Sequence, residues 1–246
     1  MGKITTVWSP QHGQFGTTAT ATIIAATNKK TLITHTQYRM SALEKMFGLK
    51  GSVESGAMDD SGLNSLVYSI ISHKITKDDV DNACVKITEN LHLLPSLGQS
   101  SRDEAKKQKV FVILTQVLPE FFDNVVIDLP SGINEENKRY WEVASTNLVV
   151  INHNVEFWHK YPDIPRAQLI MSKYDKDSKN TALRCSLITG YKTHIIPYNT
   201  TYMDAISSGK VSEFLLSNEN ILNKDIPVKK NKVYTLFKKS SEVKIC

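Results

Sequence analysis

Seven short, strongly apolar runs recur along this chain, and they constrain its fold more than any other feature. They span residues 4–8, 31–34, 91–94, 124–128, 147–151, 167–171 and 193–196. Most are continuously apolar instead of alternating, as strands buried on both faces are. Helix-length patterns separate them, at 19–27, 40–47, 61–72, 78–88, 101–118 and 201–217. Ser101-Arg102-Asp103-Glu104 reads as a capping-box start. This β-α-β rhythm predicts one doubly wound α/β domain over residues 1–223. Its mostly parallel sheet should have about seven to eight strands, flanked by helices.

The bulk properties agree with a single domain. A chain of 246 residues with 41% hydrophobic and 22% charged residues can bury a sizeable core. No apolar run approaches the roughly 18–20 residues needed to cross a bilayer, and the first residues lack a signal-peptide pattern. Cys84, Cys185 and Cys246 are odd in number, widely spaced and without CxxC. Reduced thiols and a cytoplasmic protein are expected. The net charge of +5 is concentrated in residues 224–246, where seven lysines face two acids. That leaves a formally neutral body and a basic C-terminal tail.

The first strand runs into "WSPQHGQFGTTATATIIAAT" (8–27), which has the parts of a phosphate-binding loop. Gly13 and Gly16 let the backbone curl so that N–H groups can face phosphate oxygens. The helix that follows adds its partial positive charge. Thr17 and Thr18 offer hydroxyls for Mg²⁺. The lysine of GxxxxGK[ST] is absent. Two readings stand: a nucleotide loop over His12, Gly13, Gln14, Phe15, Gly16, Thr17 and Thr18, or an ordinary strand–helix turn. A second motif, "VVIDLPSG" (125–132), sets Asp128 at the carboxyl end of a buried strand. An acid there can hold a water on Mg²⁺ across from the first loop. The plainer reading is a strand-end acid hydrogen-bonded to the first helix.

Taken in order, the segments resemble the MinD/ParA group of deviant Walker A ATPases, which includes the TadZ proteins. The resemblance covers residues 3–218. "HGQFGTT" is similar to the KGGxGKTT loop, and "TLITHTQYRMSALEKMFGL" (31–49) to the second strand and helix. "NLHLLPS" (90–96), "NVVIDLPSG" (124–132), "TNLVVINHN" (146–154), "QLIMSKYD" (168–175) and "IIPYNTTYMDAISSGKV" (195–211) resemble the later segments. The resemblance implies a nucleotide-dependent spatial organiser. Two subunits would sandwich ATP or ADP with Mg²⁺, bind a surface, and separate after slow hydrolysis.

This chain departs from that pattern where charge matters. Thr17 stands where the group has its P-loop lysine, and His12 where it has its signature lysine. A one-residue gap would instead place Thr17 and Thr18 on the threonine pair. Thr34-His35-Thr36-Gln37 stands where two aspartates are expected, and Ser172 replaces the asparagine that reads adenine. Of the polar positions, Thr18 and Asp128 survive as Mg²⁺ residues, with Asp128 the one catalytic candidate. Phosphoryl transfer depends on positioned charge, and each lost donor costs a few kcal/mol of transition-state stabilisation. Weak nucleotide binding with little or no hydrolysis is therefore expected. The protein would act as a dimeric scaffold for a conjugation or pilus apparatus, a plasmid or another cellular machine. Its protein partner or cargo is not written in the chain. The alternatives are a slow ATPase in which Thr17, Thr18 and His12 replace the lysines, and a non-specific DNA-binding partition protein, which the neutral body disfavours.

The seven histidines lack metal-ligand spacing, and no GxSxG nucleophile motif occurs. In the tail, Val233, Leu236 and Phe237 fall at helical spacing among lysines. Such a segment can lie on an anionic membrane, so peripheral contact at the inner membrane face is one expectation. A solvated tail or a helix packed on the body are the others.

Overall fold

The computed structural model describes residues 1–12, 16–26, 29–37, 42–49, 62–95 and 104–217. The expected tail at 224–246 and the loop residues Gly13, Gln14 and Phe15 lie outside them. The seven apolar runs are all strands: β1 (Lys3–Trp8), β2 (Thr31–His35), β4 (Leu91–Leu93), β5 (Asn124–Asp128), β6 (Thr146–Ile151), β7 (Ala167–Tyr174) and β8 (Thr193–Pro197). A two-residue strand, β3 (Val85–Lys86), adds an antiparallel edge. The sheet order is β3-β4-β2-β5-β1-β6-β7-β8, and every other pairing is parallel.

Nine α-helices are described: α1 (Thr17–Ala25), α2 (Ala42–Met46), α3 (Gly62–Ser72), α4 (Lys77–Ala83), α5 (Glu104–Val112), α6 (Glu135–Val143), α7 (Ala182–Thr189), α8 (Thr200–Ser208) and α9 (Val211–Ser217). They cover both faces of the sheet, which is why the strand sequences are apolar throughout. One core layer joins Trp8, Leu66, Ile113, Tyr140, Trp141 and Cys185. The other joins Ala21, Ala25, Leu43, Met46, Tyr202 and Leu215.

Three elements differ from the sequence reading. The helix expected at 78–88 stops at Ala83, because Cys84 turns extended and the chain continues as β3. The helix expected at 101–118 passes from α5 into a π turn (Ile113–Val117) and a 3₁₀ turn (Leu118–Glu120) that contains Pro119. The pattern at 201–217 is two helices, broken at Gly209, which caps α8 at φ 71°. Helices α6 and α7 had no signal in that reading.

The connections place the site. From β1 the chain moves through α1 on one face to β2. From β5 it moves the opposite way, through α6 on the other face, to β6. Right-handed crossovers require that switch of face. The loops after β1 and β5 therefore diverge around a crevice at the carboxyl ends of the strands, where open α/β sheets bind ligands.

Candidate functional site: the crevice above β1 and β5

Helix α1 begins at Gly16, whose φ of 67° and ψ of 45° are left-handed. Such a conformation favours glycine, which has no Cβ to clash. No side chain caps this end, and no acid lies in the first turn. The first backbone N–H groups of a helix lack intrahelical partners, so the start of α1 combines donors outside the helix ladder with a positive dipole end.

Thr18 donates from Oγ1 to Asp128 Oδ2 at 2.7 Å. Asp128 is fully buried, and its second oxygen, Oδ1, has no hydrogen-bond partner among the described residues. Burial pushes its carboxyl up to about 6, while the Thr18 hydrogen bond pulls the other way. The plainer sequence reading, an acid tied to the first helix, is thus a literal contact. That same contact is the hydroxyl–carboxylate pair that a Mg²⁺ site uses. Hard cations take oxygen ligands and keep several waters. A buried carboxylate with one orphaned oxygen beside a threonine hydroxyl fits that chemistry.

A hydroxyl cluster anchors the loop. Ser9, fully buried, donates from Oγ to Gln11 O at 3.0 Å and accepts from Thr17 Oγ1 at 2.9 Å. Its one hydrogen is thereby used, so Ser131 must be the donor in the 2.9 Å Ser9–Ser131 contact. Gly132 N donates to Ser9 O, and Trp8 Nε1 donates to Gly132 O at 2.8 Å. The turn after β5 is thus tied to the loop after β1. Sequence reasoning missed Ser9 and Ser131. "SP" and "PSG" read as generic turn residues, and their pairing across 122 positions is visible only in the fold.

The end of β2 is a second polar unit. His35 is fully buried and pairs in register with Asp128. Its Nδ1 accepts from Gln37 N at 3.1 Å, so the proton sits on Nε2, which faces Glu44 Oε1 at 2.7 Å. Nε2 therefore donates to a buried carboxylate on α2.

Thr17, Thr18, Ser131 and Gln37 from these groups border a cavity of about 430 Å³, within the size range of small-ligand pockets. His12, Gly16, Thr17 and Thr18 line it, and so do Pro197 and Tyr198. Ser172, where adenine reading was expected, lies on the wall and donates to Ile151 O at 3.3 Å. Tyr202 closes the side by donating to Ala19 O at 2.8 Å and bonding Thr22. Of the expected nucleotide-loop residues, the structure brings His12, Gly16, Thr17 and Thr18 together around one cavity.

Lys173 also lines it, and its role had no sequence signal. Between Met171 and Tyr174, β7 carries one residue more than β8, and Lys173 adopts a φ of 51°. A non-glycine residue held there costs of order 1–3 kcal/mol. The bulge turns the side chain toward the loop. A Cβ built on Gly16 would stand 3.6 Å from Lys173 Cε.

No protein-family model and no curated protein matches the sequence. Among solved structures, the chain is similar to a ParA family ATPase from Chlorobium tepidum TLS, with a TM-score of 0.70, 15% identity, and 89% of this chain and 94% of that one covered. The fold is that of the ParA and MinD ATPases. A Pyrococcus horikoshii OT3 MinD complexed with Mg-ADP matches with a TM-score of 0.63 and 16% identity, covering 91% of this chain and 97% of that one. A MinC:MinD complex from Aquifex aeolicus matches with a TM-score of 0.62 and 18% identity, covering 93% and 99%. The expected mostly parallel, helix-flanked sheet is therefore the ParA/MinD sheet, with eight strands. No described helix is long and apolar enough to cross a membrane. Among the described residues, no group of three or more His, Cys, Asp or Glu is placed to hold a metal ion.

Proposed function

We propose that this protein is a ParA/MinD-like spatial organiser that binds ATP or ADP with Mg²⁺ in the crevice above β1 and β5, with little or no hydrolysis. The observation that carries this reading is the 2.7 Å Thr18–Asp128 contact with Asp128 Oδ1 left over. Thr18 would offer its hydroxyl to Mg²⁺, and Asp128 would hold a water on it. The first N–H groups of α1 would meet phosphate oxygens, as helix N-termini do. Bound Mg²⁺ would supply charge neutralisation at the phosphates.

Hydrolysis needs more than this. No lysine lies between Ser9 and Asn28, and the end of β2 presents His35 in place of the expected acids. The charge that stabilises a transferring phosphoryl group is largely missing. The nucleotide would serve as a structural ligand that favours dimerisation, and the dimer would present a surface to a partner or cargo. The Mg-ADP of the Pyrococcus MinD and the MinC partner of the Aquifex MinD support this class of behaviour. Residues 224–246 would add peripheral membrane contact once two tails act together.

The test is recovery of nucleotide. ATP incubated with the full chain and Mg²⁺ should be recovered intact, with phosphate release no faster than for Asp128→Ala. Steady multiple turnover that Asp128→Ala abolishes would overturn the inactive reading and favour a slow ATPase. Flotation with anionic vesicles, with and without residues 224–246, tests the tail. Equal flotation of both forms would remove its membrane role.

A further inference from the structure

The start of α1 poses an electrostatic problem. A cation beside a helix N-terminus is unfavourable, because it meets the positive end of the dipole. Yet Lys173 reaches this point. Its Cε lies in van der Waals range of where a Gly16 Cβ would be, and Gly16 is the N-terminal flank of α1. The placement is built in: it requires the extra residue in β7 and a left-handed lysine. No acid lies in the first turn of α1, and among the described residues no ion pair holds Lys173. The start of α1 and Lys173 line the same cavity. Nearby, a fully buried acid keeps one oxygen without a partner. A helix start and a lysine brought together by a strained backbone are accounted for by an anion between them.

We infer that Lys173, delivered from the end of β7, supplies the cation that the glycine loop has lost, and binds the terminal phosphates of the nucleotide against the N-terminus of α1. This rests on the nucleotide reading above and extends it. The phosphate lysine has moved from the loop to the opposite wall of the crevice. A lysine in that place secures the ligand by charge. It does not sit in the loop frame from which a P-loop lysine stabilises transfer, so retained binding and lost turnover go together.

The experiment uses the full chain with Mg²⁺, with ATP followed by calorimetry and adenosine by ligand-observed NMR. Lys173→Met should weaken ATP at least about tenfold, equivalent to about 1.4 kcal/mol, and leave adenosine unchanged. Lys173→Arg keeps the charge and should stay within about threefold of the parent. Lys173→Gly suits the left-handed backbone; it should fold as the parent does and lose ATP as the methionine variant does. ATP binding by Lys173→Met equal to the parent's overturns the lysine assignment and leaves the nucleotide reading standing. Equal loss of ATP and adenosine also overturns it, because packing would then explain the effect. A parent chain that binds neither ligand removes both readings.

Discussion

His35 Nε2 donates to Glu44 Oε1 across 2.7 Å, joining the end of β2 to α2 in a buried setting. Gln37 N donates to Nδ1, so both ring nitrogens are engaged. Asp128 lies beside His35 in register. The acid expected at this strand end would have two carboxylates for neighbours. His35→Asp should therefore destabilise the fold by about 3–5 kcal/mol, the range for a broken buried pair. Urea unfolding measures this. A cost below about 1 kcal/mol would mean that the site accommodates the added carboxylate.

Asp128 makes stability depend on pH in a stated direction. Its carboxyl is raised from 3.8 to about 6, first by burial and despite the Thr18 hydrogen bond, with Glu44 raising it and His35 lowering it. The folded chain therefore holds a proton that the unfolded chain releases. That contribution is fully present below about pH 4 and is lost as pH rises through about 6. It amounts to roughly 3 kcal/mol at most, at about 1.4 kcal/mol per pKa unit. Asp128→Asn keeps an acceptor for Thr18 and removes the titration. It should be more stable than the parent at pH 7.5, with a flatter profile between pH 4 and 7. Parallel profiles would show that Asp128 titrates normally.

The helices that wall the cavity depend on a glycine contact. Gly48 ends α2 at φ 70°, and a Cβ there would lie 2.7 Å from Gly209 O at the end of α8. Gly190 has a similar φ of 75°, but nothing lies within 4 Å of its Cβ position. Gly48→Ala should cost about 1–3 kcal/mol more than Gly190→Ala, since only the first adds crowding to strain. Thermal melts of the two variants give the difference. Equal melts would mean that α2 and α8 separate freely.

Much of this was legible in the sequence because strands buried on both faces must be apolar. The seven runs at 4–8 through 193–196 locate seven of eight strands, and Asp128 and Thr18 mark the two ends of a contact 110 residues apart in sequence. Other features were hidden for physical reasons. β3 is two residues long and owes its strand geometry to pairing with β4. In α6, Trp141 and Tyr140 are buried among charged residues, so no simple apolar stripe marks it. Exposed Leu183, Leu187 and Ile188 blur the face of α7. Lys173 sits in "SKYD" like any strand-end lysine; its direction comes from a bulge that only the pairing of β7 with β8 defines.

The most direct measurement is a calorimetric titration of the full chain with ATP, with and without Mg²⁺, for the parent and Asp128→Ala. The expected result is saturable binding of one nucleotide per chain, tightened by Mg²⁺ in the parent and indifferent to Mg²⁺ in Asp128→Ala. No heat and no thermal shift at millimolar ATP would contradict it, and the crevice above β1 and β5 would then be a phosphate loop in shape alone.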